Sequence, residues 1–256
     1  MRWVVLLLTL LGLSPYAWGA EITPPVGQQV YVLGEVHDNA AHHSEQARLV
    51  ELIAPKAVVW EMLTPEQANV LAGLDLSDAT AVEAALAWHE SGWPDFSMYH
   101  PIFLAAGRAT HVGAAVIRDD VKEAMMNGAQ SMIGMELPRF TPDVQAALEA
   151  EQAEAHCNAL PPDLLPGMVE AQRLRDAALA GAAYQAGVDF GTPVVIITGT
   201  GHARTDTGAP AHLRAMDPDV KVWSLGQLEH PQTEGPFDAV NVTPPTPRED
   251  PCLAFR

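Results

Sequence analysis

Positive charge is scarce in this 256-residue chain, which has 14 lysine and arginine residues against 32 aspartate and glutamate residues and a net charge of −18. Nucleic acids and anionic membrane surfaces select for basic patches, so we expect this acidic chain to bind neither. An anionic ligand would have to be met by individual arginines, because the overall field repels it.

The sequence also lacks an uninterrupted apolar run of the roughly 20 residues that a membrane-spanning helix needs. The apolar stretch Trp3–Leu13 is much shorter, follows Arg2 and precedes the small-residue segment Ala17–Ala20. That order is typical of a secretory signal peptide. We therefore predict a signal peptide over residues 1–19, one mature domain over residues 20–256, and export to the periplasm. With no cysteine near the cleavage point, we expect a soluble protein without a lipid anchor.

Cysteine is nearly absent, since Cys157 and Cys252 are the two cysteines of the chain and no C-x-x-C pair occurs. In an oxidising compartment, a pair of this kind most often forms a disulfide. We predict that this bond ties the C-terminal tail to the middle of the chain. A redox-active or metal-binding pair is the alternative, which the spacing does not favour.

Alternation of strand and helix patterns predicts an α/β fold. Three apolar runs, rich in β-branched residues, predict strands covered by helices on both faces: Val30–Leu33, Ala57–Trp60 and Val194–Ile197. Weaker strand candidates are Val112–Ile117, Val220–Leu225 and Phe237–Val242. We expect a central, mostly parallel or mixed sheet flanked by helices. The segment Asn127–Pro162 lacks strand signals and is predicted to form a helical cap over that sheet.

Polar residues directly follow each of the three strong strand candidates: Glu35 and His37 after the first, Glu61 after the second, and His202 after the third. Ligands of α/β sheets bind at the carboxyl ends of strands, so we expect these four side chains to converge. The two G-x-x-H matches are close to the number expected by chance, and their position at strand ends is what makes them informative. Tight turns with satisfied histidines are the alternative.

Such a set of glutamates and histidines is compatible with several chemistries. Two imidazoles and a carboxylate can hold a divalent metal with open positions. A histidine oriented by a glutamate can act as a general base on water. The same groups can also line a polar cofactor pocket. The patterns H-E-x-x-H and G-x-S-x-G are missing, so the common metalloprotease and esterase classes lose support.

Further polar side chains lie on predicted helices. His42 and His43 are adjacent and point about 100° apart, so both cannot easily serve one ion. Gln172 and Asp176 are one turn apart and share a helix face. Surface, capping or solvated-face roles compete with functional roles at both places.

Five sequence blocks occur in order across most of the mature chain: Leu33–Gln46 (LGEVHDNAAHHSEQ), Val58–Gln67 (VVWEMLTPEQ), Trp93–Phe103 (WPDFSMYHPIF), Met168–Ala180 (MVEAQRLRDAALA) and Gly199–Pro210 (GTGHARTDTGAP). Together they resemble the ChaN-like haem-binding proteins. The wider group contains TraB and Tiki proteins and erythromycin esterases, which share the Glu and His pattern at strand ends.

The resemblance implies an exported α/β protein that binds haem and serves iron acquisition, with haems stacked between two subunits of a homodimer and haem-uptake machinery as a further partner. It also implies a tyrosine ligand to the haem iron, which maps most naturally onto Tyr99. Phenolate ligation of haem iron is known in catalase. The candidates for the assisting histidine are His100 and His89, and Arg118 and Arg204 are the candidates to meet the haem propionates.

Two other functions stay open. A hydrolase, metal-dependent or not, would use Glu35, His37, Glu61 and His202 as catalytic residues. This alternative explains a set of polar residues that haem ligation through Tyr99 does not require. The third possibility is an exported scaffold with a vestigial site.

Overall fold

Six strands form one parallel sheet in the part of the chain that the structure, a computed structural model, describes, residues 21–134 and 136–255. The strands are β1 (Val30–Glu35), β2 (Ala57–Trp60), β3 (Thr110–Gly113), β4 (Val194–Gly199), β5 (Val222–Glu229) and β6 (Ala239–Thr243). The predicted signal peptide, residues 1–19, lies outside the described residues. The prediction of an α/β fold with a mostly parallel sheet is confirmed.

Eight α-helices connect and cover these strands in the same described residues. They are α1 (Ala40–Ile53), α2 (Pro65–Leu71), α3 (Ala79–Leu86), α4 (Phe96–Ala106), α5 (Arg118–Asn127), α6 (Pro142–Ala155), α7 (Leu165–Phe190) and α8 (Ala209–Met216). Short 3-10 turns lie at Trp88–Glu90, Ala129–Ser131, Pro162–Leu164, Thr200–Ala203 and Pro251–Phe255. None of the helices among the described residues is both long and apolar enough to cross a membrane.

The strand order of the sheet is β3-β2-β4-β1-β5-β6. From the central strand β1 the chain moves outward to β2 and β3, returns to β4, and then crosses to β5 and β6 on the other side. All neighbouring strands are parallel, so their carboxyl ends share one edge. Ligands of open α/β sheets bind where the strand order changes direction, which here is the edge formed by β1, β2 and β4.

Side chains alternate between two buried layers along the central strands. Tyr31 and Leu33 of β1 belong to the layer that contains α1 and α4, while Val30 and Val32 belong to the layer that contains α7 and α8. Strand side chains point to opposite faces with a period of two, and both faces are covered by helices. This double coverage explains why the strong strands are apolar at consecutive positions.

Local sequence sets the starts of two helices that follow strands. Asn39 caps α1 by accepting a hydrogen bond from the amide of Ala41. Thr64 and Gln67 form a reciprocal capping box at the start of α2. Each cap satisfies amide groups that have no partner within the helix. These caps place the helix starts directly after the polar strand-end residues.

The segment 127–162 contains α6, which packs on α7 and has no buried side chain of its own. We call α6 the cap helix. Cys157, just after α6, is joined by a disulfide to Cys252 in the tail, with a Cα–Cα distance of 5.5 Å. The predicted disulfide is therefore confirmed.

The bounds of the weaker strands needed correction. The prediction of a strand over Val112–Ile117 was wrong in its position, because β3 ends at Gly113. After Gly113 the backbone turns toward the neighbouring segment, where the amide of Ala115 donates to the carbonyl of Leu63. A side chain at Gly113 would overlap the backbone of Thr64, so this close approach requires glycine.

Candidate functional site

Glu35, His37, Glu61 and His202 lie together at the carboxyl ends of β1, β2 and β4. His37 Nδ1 is 2.8 Å from Glu35 Oε1, and His202 Nε2 is 3.5 Å from Glu61 Oε1. The parallel arrangement of the strands explains this convergence, because each residue ends or directly follows a strand at the same sheet edge.

Glu35 is the buried centre of the first half of this site. Its Oε1 atom accepts hydrogen bonds from His37 Nδ1 and from the hydroxyl of Tyr99, each at 2.8 Å. Because a carboxylate only accepts hydrogen bonds, the proton of neutral His37 lies on Nδ1. The other ring nitrogen, Nε2, is left as the basic atom of His37. The side chain of His37 is 33% exposed, so this basic atom belongs to an accessible group.

Several neighbours fix the imidazole of His37. Trp93 packs against it with ring centroids 4.9 Å apart. A Cβ atom at Gly199 would lie 2.9 Å from Nε2, so the ring sits where only glycine leaves room. Burial lowers the pKa of His37, but the hydrogen bond to Glu35 and the charges of Glu61 and Glu35 outweigh it and raise the pKa. The surrounding carboxylates therefore make this imidazole more basic than a free histidine.

A second histidine faces the remaining oxygen of Glu35. His43 Nδ1 lies 3.4 Å from Glu35 Oε2, and both atoms are buried without another hydrogen-bond partner. His43 Nε2 lies 2.8 Å from the carbonyl oxygen of His37, which only accepts, so Nε2 carries a proton. The Nδ1 and Oε2 atoms are then both acceptors unless a second proton lies between them. Glu35 Oε2 and His43 Nδ1 therefore form a close pair of buried polar atoms beside the hydrogen bond between His37 and Glu35.

Glu61 is fixed by donors from the neighbouring strand β4. Its Oε2 atom accepts hydrogen bonds from the hydroxyl of Thr198 at 2.6 Å and from the amide of Gly199 at 2.8 Å. Burial raises the pKa of Glu61, but the positive charges of His202 and His37 and these hydrogen bonds outweigh it and lower the pKa. Glu61 is therefore an ionised carboxylate in spite of its burial.

His202 lies between two carboxylates. Its Nδ1 atom is 2.8 Å from Asp176 Oδ1 on α7, and its Nε2 atom faces Glu61. Burial lowers the pKa of His202, but the charges of Asp176 and Glu61 outweigh it and raise the pKa to about 9. At neutral pH the site therefore contains an imidazolium held by Asp176 and Glu61.

A cavity of about 390 Å³ opens above these residues. Glu35, His37, Asp176 and His202 contribute polar groups to it, as do Gln172 of α7 and Arg204. Phe140, Leu148 and Val169 form an apolar wall opposite the strand ends. The volume lies within the range of cavities that bind small molecules. No group of three or more His, Cys, Asp or Glu residues within the described ranges is arranged to hold a metal ion.

The other residues predicted for haem binding lie in different places. Tyr99 is fully buried in the core, donates to Glu35 and does not line the cavity. Burial and the charge of Glu35 raise its pKa, which favours the neutral phenol. His100 Nε2 lies 2.8 Å from the carbonyl oxygen of Leu76, to which it donates.

The two predicted arginines differ in their relation to the cavity. Arg118 is exposed at the start of α5 and does not line the cavity. Arg204 lies at the cavity rim, where it pairs with Glu151 at 3.0 Å and with Asp206 at 2.9 Å. Of the two, only Arg204 is placed next to the strand-end site.

Sequence reasoning did not place Asp176 or His43 in this site. For Asp176 the only signal was its helix face shared with Gln172, and both residues do line the cavity. His43 is fully buried rather than at the surface, as is His42, whose Nδ1 accepts from the amide of Val36 at 2.9 Å. Asp176 and His43 both lie within helices and not directly after a strand, so the strand-end argument could not find them.

Known proteins resemble this chain in sequence and in fold. A family model described as "Haem-binding uptake, Tiki superfamily, ChaN" matches residues 26–213. A solved structure described as "Cofacial heme binding to ChaN of Campylobacter jejuni" is 19% identical, with a TM-score of 0.62, over 81% of this chain and 84% of that chain. It shares the fold. The type III effector HopBA1 is 12% identical over 85% of this chain and 88% of that chain, with a TM-score of 0.45 that supports no structural argument. Among curated proteins, none matches.

Proposed function

The chain belongs to the ChaN family of haem-binding uptake proteins in the Tiki superfamily, and we propose that it is an exported protein that binds haem for iron acquisition. The observation that carries this proposal is the family match, which spans residues 26–213 and includes every strand-end residue of the site. The confirmed disulfide is in keeping with export to an oxidising compartment.

We propose that the strand-end cavity is where haem contacts the protein. The porphyrin faces are apolar, and Phe140, Leu148 and Val169 form the apolar wall of the cavity. The propionates are anionic, and Arg204 at the rim is a cation placed to meet them. Arg204 would have to exchange its present carboxylate partners for a propionate, which is an exchange of like groups.

Three side chains of different accessibility are candidates for the iron ligand. Ligation by Tyr99 stays a prediction, and its enclosed hydroxyl would first have to leave Glu35. Tyr184 on α7 is 42% exposed and is the most accessible tyrosine among the described residues, but it does not line the cavity, so ligation by Tyr184 would place the haem iron outside it. Nε2 of His37 is a third candidate, because a neutral imidazole is a common haem ligand.

Hemin titration of the mature protein, followed by absorbance, tests the proposal. We expect saturable binding with a high-spin spectrum from tyrosine ligation. A tyrosine ligand is identified by which of Tyr99→Phe and Tyr184→Phe abolishes that spectrum, and a spectrum that survives both substitutions points to His37. Tyr31→Phe is the matched control, because the Tyr31 hydroxyl is bonded to the carbonyl of Pro25 outside the cavity. The absence of saturable binding by the wild-type protein would refute haem binding.

A homodimer around stacked haems is part of the proposal. The ChaN protein of Campylobacter jejuni is described as binding haem cofacially, and we carry that arrangement to this chain. Light scattering with and without hemin tests it: the mass should double as hemin saturates the protein. An unchanged monomer mass at saturation would refute dimer formation and would leave the proposal of haem binding intact.

A hydrolase is the second candidate function, and the protonation of the two histidines favours it. His37 presents a basic Nε2 atom and is oriented by Glu35, as a general base must be. His202, with its raised pKa, is an imidazolium that can donate a proton. Both side chains line the same cavity, so one ligand could contact both.

An esterase and amidase screen, together with analysis of bound metal, tests the hydrolase. His37→Ala should abolish any activity found, because it removes the basic atom. His89→Ala is the matched control, since His89 is 69% exposed and does not line the cavity. Hydrolysis that survives His37→Ala would refute this candidate function.

A further inference from the structure

The C-terminal tail is bound to the loop that carries His37. After β6, the amide of Thr246 donates to Glu229 at 2.9 Å. Arg248 then pairs with Asp38 and with Glu229, each at 2.7 Å. Asp38 directly follows His37 in the sequence, so the tail is attached within one residue of the accessible base of the site.

The other end of the tail is bound next to the cap helix. The Cys157–Cys252 disulfide joins the tail to the chain just after the C-terminal end of α6. Leu148 and Glu151 of α6 line the cavity. The tail therefore connects the loop beneath the cavity with the helix above it. We call this bond the tail–cap disulfide.

The cap helix has few other attachments. None of its side chains is buried, and it packs on α7. Glu151 pairs with Arg204 at 3.0 Å, but the Glu151 side chain is half exposed. Exposed ion pairs of this kind stabilise a structure little. The disulfide is therefore a covalent restraint just after α6 that adds to the packing of this helix on α7.

We propose that the tail–cap disulfide holds α6 over the cavity, and that a dithiol partner opens the cavity by reducing this bond. Both cysteines are partly exposed, as attack by a thiolate from solvent requires. Reduction would free the C-terminal end of α6, while the parallel sheet and the tail contacts of Arg248 stay in place. The opening of the cavity does not depend on the proposed function. Only the identity of the entering molecule, haem, rests on it.

The chemistry is thiol–disulfide exchange with a dithiol reductant. One thiolate of the dithiol attacks one sulfur of the pair and forms a mixed disulfide, and the other cysteine leaves as a thiolate that takes up a proton. The second thiol of the dithiol then displaces the first cysteine. The dithiol is oxidised to a disulfide by two electrons, and Cys157 and Cys252 become two thiols.

Amide hydrogen exchange on the ligand-free protein tests the opening directly. The folded, oxidised protein is compared before and after treatment with dithiothreitol, without denaturant. We expect exchange in α6 to become at least about tenfold faster, while amides of β1 and β4, which exchange only through global unfolding, stay much slower than those of α6. Unchanged exchange in α6 after complete reduction would overturn the proposal. Exchange in α6 that is as slow as in the sheet after reduction would also overturn it, because both would then exchange only through global unfolding.

A double variant, Cys157→Ser with Cys252→Ser, provides the matched control. It should show the fast α6 exchange without reductant and no further change with dithiothreitol. A further change would assign the effect to something other than this bond. If the variant does not fold, the reduction of wild-type protein still decides the question.

Hemin kinetics connect the opening to the proposed function. We expect hemin to associate and dissociate faster with the reduced protein than with the oxidised protein, as measured by stopped-flow absorbance. Faster α6 exchange without any hemin binding would support the tail–cap proposal and refute the haem proposal. Hemin rates that do not respond to reduction would overturn the role of the cap in entry.

Discussion

Replacing Asp176 by asparagine tests how strongly the Asp176 carboxylate raises the pKa of His202. The substitution removes a negative charge but keeps an oxygen that can accept the hydrogen bond from Nδ1. In the wild-type protein burial lowers the pKa of His202, and Asp176 and Glu61 together raise it to about 9. With Glu61 alone opposing burial, we expect the pKa in Asp176→Asn to fall toward the ordinary value of 6.5.

The expected effect on stability follows from the same shift. Between 6.5 and about 9 the difference is about 2.5 pH units, which at 1.36 kcal/mol per unit gives about 3 kcal/mol. Because the pKa in the folded state is raised, this stabilisation is fully present below about pH 6.5 and is lost as the pH rises through about 9. The free energy of unfolding of the wild-type protein should therefore fall over that range, and Asp176→Asn should lack most of this fall.

Two measurements check this prediction. A titration of the His202 imidazole by NMR gives its midpoint, and urea unfolding at the two ends of the pH range gives the free energies. Asp189→Asn is the matched control, because it removes the same charge from the exposed end of the same helix. A His202 midpoint that is the same in wild type and in Asp176→Asn would refute the argument that Asp176 raises the pKa of His202.

Three further predictions concern stability, each measured by urea unfolding. Reducing the Cys157–Cys252 disulfide, which closes a separation of 95 residues, should lower the free energy of unfolding by up to about 4.7 kcal/mol, and an unchanged value would contradict the chain-entropy argument. Gly113→Ala should cost about 1–3 kcal/mol or more because its Cβ would overlap neighbouring backbone, whereas Gly73→Ala, with open space around it, should be nearly neutral. Tyr99→Phe should cost about 1–3 kcal/mol because it removes a donor from a buried carboxylate, and a neutral result would mean that this hydrogen bond contributes nothing.

Much of the fold could be predicted from the sequence, because strands covered on both faces have a distinctive composition. Val30–Leu33, Ala57–Trp60 and Val194–Ile197 all lie within strands of the structure. The edge strands were harder, since β3 and β6 are only partly buried and carry a weaker apolar pattern. Their limits are set by contacts with other segments, as at Gly113 beside Thr64.

The position of four site residues also followed from the sequence, while their chemistry did not. Glu35, His37, Glu61 and His202 lie together because parallel strands end at one edge, and a strand end can be recognised locally. Their protonation depends on partners from distant parts of the chain. Asp176 comes from α7. Tyr99, whose buried hydroxyl donates a hydrogen bond to Glu35, comes from α4.

The sequence by itself determined the α/β class, the disulfide pair and the sheet edge that carries the polar residues, because strand composition and cysteine count are local properties. Only the tertiary structure decided which histidine is accessible, which is charged, and what covers the cavity. Burial and electrostatic interactions act between residues that are close in space. The two carboxylates that act on His202 are those of Asp176 and Glu61, which come from distant parts of the chain.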